Sequence, residues 1–207
     1  MVRFVIKDDI YTMKKLDGGF DMVYKATPQK AWQHFKTITW HKILVMQGCF
    51  KVGLYWQGMT HDLSKYSWTE FHSGMKYYQG TRSPNAAERE EIGYSTAWLH
   101  HKGRNRHHYE YWTDVGPASE QWKIKGIKMP PRYVAEMIMD RIAASKVYKG
   151  KNYKNSDPMA YFNITKDYIV IHPETKKELH KILRMLEVRG EKYTFAYIRN
   201  VLLKKGY

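Results

Sequence analysis

Cysteine is almost missing from this 207-residue sequence: Cys49 stands alone, which excludes an intramolecular disulfide and fits a reducing compartment. Long apolar runs are missing too. Nothing approaches the ~18 residues needed to cross a bilayer, and Met1 to Ile6 is followed at once by Lys7, Asp8 and Asp9, so the amino terminus does not read as a secretion signal. The expectation is a soluble, cytoplasmic protein with no membrane partner. No repeat, low-complexity segment or long polar linker divides the chain, which is long enough for one well-buried core. Neither a glycine-rich phosphate loop nor a nucleophile elbow is present, and Cys49 sits in an apolar context, which argues against serine and cysteine nucleophiles. Acidic residues are scarce: 20 Asp and Glu against 35 Lys and Arg leave a formal charge of +15. Such a field draws in polyanions, nucleotides and phosphorylated metabolites, so nucleic acid is one possible partner. The basic residues are nevertheless spread along the chain with no dense basic tail. Seventeen Tyr and seven Trp can stack on bases or fill core and rim.

What is abundant is histidine, with ten residues. Most of the metal-grade side chains fall in order: His41, the adjacent pair His61 and Asp62, the group His100, His101, His107 and His108, then Asp140. Neutral imidazole nitrogens and anionic carboxylate oxygens together suit borderline divalent transition metals. His34, His72, His172 and His180 stand apart from this group and read as structural.

The first 27 residues read as a small β-hairpin or extended arm. Val2 to Ile6 and Ile10 to Met13 are β-prone, and Asp17-Gly18-Gly19 is a turn signal before Phe20 to Tyr24. Residues 28–207 are expected to form a mostly α domain of about six or more helices. Pro28 opens the first, with apolar Ala31, Trp32, Phe35, Ile38, Ile43 and Val45 carrying it to about residue 56, and a break near Gly48 or Gly53. The capping-box pattern Ser67-Trp-Thr-Glu70 starts a helix over about 68–79 and leaves His61 and Asp62 in the turn before it. Ser83-Pro84 starts a third, running to about His101. Pro130-Pro131 starts a fourth, ending near Gly150, with Glu136 and Asp140 one turn apart on one face. Pro173 to Leu186 and Tyr193 to Lys204 read as two closing amphipathic helices.

The order His, His-Asp, further His, then Asp resembles the HD-domain superfamily of metal-dependent phosphohydrolases. That resemblance implies an HD-like helical bundle holding one or two metal ions, with Mn, Fe, Co, Zn or Mg as candidates. It implies His41, His61, Asp62 and Asp140 as the primary ligands, Asp62 being able to bridge two ions, and leaves Glu136 as the alternative to Asp140. The stretch from His100 to Glu110 is similar to a motif of metal-dependent cyclic dinucleotide phosphodiesterases in the same superfamily. This implies His101, with His107 or His108, as further ligands, and Glu110 and Asn105 as residues orienting imidazoles. The Gly-Tyr-Pro element that follows in those enzymes is replaced by Tyr111-Trp112-Thr113, which argues against cyclic dinucleotides. A more specific likeness covers about residues 35–190: His61-Asp-Leu-Ser-Lys65, Glu70-Phe71, Ala97 to His101, Asn105, His107-His108, Glu110 to Trp112, and Glu136 to Asp140. This pattern resembles a family of small bacterial and bacteriophage proteins of unknown function.

The reaction implied is hydrolysis of a small phosphoester, a nucleotide first among them, by metal-bound hydroxide, with Lys65, Arg104 or Arg106 meeting the phosphate and Glu110 nearby. Two alternatives stand beside it. One is an HD-like di-iron oxygenase. The other is a basic nucleic-acid or protein-binding module with a structural metal.

Overall fold

The computed structural model describes residues 2–6, 9–16 and 19–205, with side chains from Tyr24 onward. The chain begins with three antiparallel strands, β1 (Val2–Ile6), β2 (Asp9–Leu16) and β3 (Gly19–Val23), paired in sequence order. Val2 faces Met13 across the first pair and Thr12 faces Val23 across the second. The expected turn residues Asp17 and Gly18 lie outside the described residues. Beyond Val23 the fold is mostly α, as the density of helix-start signals predicts.

Several boundaries differ from the sequence expectation for local reasons. Helix α1 (Pro28–Lys51) stops before Gly53, whose φ of +87° is left-handed. A short helix α2 (Tyr55–Thr60) then leads into His61. Helix α3 (Trp68–Lys76) does start after Ser67, but the Ser67 side chain makes no cap bond; Glu70 is bound instead to His100. The single helix expected from Pro84 to His101 is two. Gly93, with φ +84°, closes α4 (Pro84–Ile92), and the Ser95 hydroxyl accepts the Trp98 amide to begin α5 (Thr96–Lys102). A small hairpin, β4 (Thr113–Val115) with β5 (Ile124–Gly126), follows. Helix α6 (Pro131–Lys149) ends at Gly150, as expected. Helix α7 (Asp157–Thr165) was not anticipated, although Asp157-Pro158 is a start signal. The closing region α8 (Pro173–Asn200) is two helical stretches, as expected, separated at Gly190, whose φ of +75° and ψ of 177° are not helical.

The chain divides into two compact units that do not follow the expected boundary at residue 27. The first comprises Met1–Thr37 and Lys65–His100, the second Ile38–Ser64 and His101–Tyr207. Helix α1 contributes to both, because its first turns pack with the 65–100 segment and its later turns with the rest. Within the first unit His34 is buried against Gly74, so closely that a Cβ at Gly74 would lie 2.1 Å from its Nε2. Burial, then the charge of Lys65, lowers the His34 pKa to about 4.

The second unit holds the main core. Its centre is α6, whose residues Val134 to Met139 are all buried, the mark of a helix surrounded by protein. Around it pack Val45 and Cys49 from α1, Met159 and Phe162 from α7, and Leu179, Ile182, Leu183, Leu186 and Ile198 from α8. Gly48 sits where a Cβ would come 2.8 Å from Met139 Sδ, so the glycine sets the close approach of α1 to α6. His41, Val45 and Cys49 recur every four residues on one face of α1. The packing that buries Val45 and Cys49 therefore turns His41 inward as well. Among the described residues no helix is long and apolar enough to cross a membrane.

Candidate metal centre

Four segments of the second unit bring ligands to one buried spot. From α1 comes His41, two turns before Gly48, and from α6 comes Asp140, the neighbour of Met139. The turn after α2 supplies His61 and Asp62. Lys42 Nζ donates to the carbonyls of Met59 (2.6 Å) and His61 (3.0 Å), and the His61 amide donates to Gln57 O (2.8 Å), which pins this turn. Asp62 has φ +53°, a left-handed conformation that Asp accepts better than most residues and that aims its carboxylate into the cluster. The fourth segment is the end of α5 and the loop after it. Here Asn105 and His107 are buried while Arg104 and Arg106 between them are exposed.

The side chains form two groups of four that share Asp62. In the first, His41 Nε2 and His61 Nε2 lie 3.6 and 3.3 Å from Asp62 Oδ2, and 3.0 and 3.8 Å from Asp140 Oδ1. In the second, His101 Nε2 and His107 Nε2 lie 3.3 and 3.4 Å from Asp62 Oδ1, and His108 Nε2 lies 2.9 Å from His101 Nε2. Ligands at ~2.1 Å from one ion are separated by roughly 3.0 Å when at right angles and roughly 3.4 Å in a tetrahedron. The observed separations bracket those edges. Nε2 of His41, His61 and His107 is buried in each case and makes no hydrogen bond, an arrangement that native interiors rarely leave without a bound partner. Donor type, spacing and burial thus fit one divalent ion per group, with Asp62 between them.

The outer nitrogens are held by protein. Glu136, the alternative ligand of the sequence reading, has its Oε1 2.9 Å from His61 Nδ1 and 3.1 Å from His107 Nδ1, and so accepts from both rings. His101 Nδ1 lies 3.2 Å from Ser64 Oγ, which accepts from Asn105 Nδ2 at 2.8 Å; Asn105 also donates to the His101 carbonyl. This explains the serine after His61-Asp-Leu and the asparagine after the histidine pair. Orienting partners of this kind fix which imidazole nitrogen faces a metal.

Electrostatics reflect the crowding. Burial disfavours a charged His61, but Asp62, Asp140 and Glu136 outweigh it and hold its pKa well above the ordinary value. Asp140 is held well below the ordinary carboxylate range, burial being overcome by His41 and His61. His108 is pushed well down by burial, then by His107 and His101. A cation bound among these groups would displace the extra proton that His61 holds.

The remaining sequence candidates lie elsewhere. His100, next to His101 on α5 and so about 100° away around the helix, turns to Glu70 (2.6 Å) in the first unit. Lys65 also belongs to the first unit. Arg106 donates to Tyr133 Oη at 3.3 Å and stands over the Tyr111 ring, and Arg104 is exposed. Glu110 is half-buried, with its pKa raised by burial and Oε2 without a hydrogen bond. Sequence reasoning missed Ser64 as an orienting residue, although it lies inside the motif.

Residues 30–185 match the family model of DUF5662, described as a family of unknown function, and all seven ligand candidates lie within that span. No curated protein and no solved structure matches the chain.

Proposed function

We propose that this chain, which belongs to the DUF5662 family, is a metal-dependent hydrolase of a small phosphoester, with a nucleotide as the first substrate to test. The observation that carries the reading is the pair of four-residue ligand groups sharing Asp62. With a divalent ion in each group, the charges of Asp62 and Asp140 among the ligands and of Glu136 behind the rings would leave one net positive charge in a buried place. Such a centre attracts an anionic substrate. Ions held by the two groups would supply Lewis acidity for a phosphoryl oxygen and would lower the pKa of a water molecule.

The protein's own part is to hold and orient. Asp62 joins the two positions, and Glu136, Ser64 and Asn105 fix the rings of His61, His107 and His101. Arg104 and Arg106, exposed on the ligand loop, raise the local concentration of anions beside it. Elemental analysis of protein purified without added metal, followed by a screen of nucleoside mono-, di- and triphosphates with Mn, Co, Mg and Fe, tests the proposal. Metal-loaded protein that releases no phosphate from any of them would overturn it.

One feature favours a second reading. The group of Asp62 with His101, His107 and His108 carries three imidazoles and one carboxylate, a donor set that also suits iron. Iron as the resident metal, with a visible absorption band and no hydrolysis, would select an oxygenase.

A further inference from the structure

We infer that Glu136 couples the two metal positions, so that a single carboxylate oxygen sets one ligand of each. The inference rests on the metal centre proposed above but not on the reaction assigned to it. His61 belongs to the group with His41 and Asp140, whereas His107 belongs to the group with His101 and His108. Their rings lie side by side, with centroids 4.4 Å apart. Both Nδ1 atoms point to Glu136 Oε1, at 2.9 and 3.1 Å. Both Nε2 atoms point to Asp62, His61 to Oδ2 at 3.3 Å and His107 to Oδ1 at 3.4 Å. The two rings are therefore clamped between two carboxylates, one inside the metal centre and one behind it.

This box has chemical consequences. An oxygen with two lone pairs accepting two N–H groups fixes both rings as Nδ1–H tautomers, which leaves both Nε2 lone pairs directed at the ions. Rotation or tautomer exchange of either ring breaks its bond to Oε1. Because Glu136 is 5% exposed and sits on the central helix α6, water cannot take over its role. Ser64 serves as a natural comparison, since it touches His101 and hence only one group. Glu136 is a positioning residue for both metals, while Ser64 positions a ligand of one.

The test compares Glu136→Gln, Glu136→Asp and Ser64→Ala with the parent protein in titrations with Co2+, read by calorimetry and by the visible spectrum, folding being checked by circular dichroism. Glu136→Gln should weaken both positions by roughly 10–100-fold, and Glu136→Asp, which keeps the charge but withdraws it by one methylene, should also weaken both. Ser64→Ala should weaken only one. In metal-free protein, proton NMR should show two protected low-field imidazole N–H signals that vanish together in Glu136→Gln and persist in Ser64→Ala. Loss at a single position, or unchanged binding, in a folded Glu136 variant would overturn the inference. Absence of phosphate release would overturn the proposed reaction and leave these titrations untouched.

Discussion

Replacing Asp62 by Asn should disable both metal positions at once. Asn is the informative choice because it accepts the left-handed backbone at φ +53° nearly as well as Asp, so the turn after α2 keeps its shape. In the native protein Oδ1 stands 3.3 and 3.4 Å from the imidazoles of one group, and Oδ2 stands 3.6 and 3.3 Å from those of the other. An amide keeps one oxygen and presents N–H groups where the second was. It also removes one of the three negative charges of the centre. Loss of an orienting partner alone typically costs 10–100-fold in affinity, so loss of a shared anionic ligand sets a floor of about 100-fold, or ~2.7 kcal/mol, at each position. Calorimetric titration with Mn2+ or Co2+, with circular dichroism as the control for folding, measures this. Two ions bound at parental affinity would refute the shared-ligand geometry, and loss of only one would show that the carboxylate serves a single position.

Three further outcomes follow from the packing and charge. Gly48→Ala should destabilise the second unit by ~1–3 kcal/mol, since its Cβ would press on Met139 Sδ at 2.8 Å, and should loosen metal binding through His41 and Asp140; thermal melting with and without metal checks it. His34 has a depressed folded pKa of about 4, so the unfolded chain binds its proton first as pH falls. The stability it confers is full above pH ~6.5 and is lost on descending to pH 4, by about 3 kcal/mol in total. NMR titration of the imidazole and denaturant unfolding at both pH values test this, and an ordinary His34 pKa would refute it. Replacing Arg104 and Arg106 together by Ala should lower kcat/KM for a nucleotide by about a decade at low salt, with a smaller effect at high salt and no loss of metal.

Much of the architecture is legible in local chemistry. Proline marks the starts of α1, α4, α6 and α8 because its fixed φ and missing N–H suit the first helical position. What the pattern concealed was interruption. Gly93 and Ser95 split the one helix expected from Pro84 to His101. The β4–β5 hairpin was hidden because its strands are three residues long and mostly exposed, leaving no alternation to read. For the centre, the ordered His and Asp residues, read through the family resemblance, nominate seven candidates that the fold brings together. The choice of His101 over His100 comes from the family resemblance, because which of the two turns inward depends on helix rotation. Sequence order could not assign Glu136, whose position behind the rings rather than among the ligands is fixed only by packing.

The two metal positions differ in how far apart their ligands lie along the chain. His101, His107 and His108 come from one short stretch, so bringing them together closes only a small loop. The other position joins residues 41, 61 and 140, and its closure entropy has to be met by the docking of α1 on α6. Contacts of wide sequence separation form late. On the proposed two-ion reading, an ion present during folding would meet the local cluster of imidazoles first, and a second ion would act as a cross-link that keeps distant helices from separating. Removal of metal should accelerate unfolding chiefly through the loss of that long-range tie.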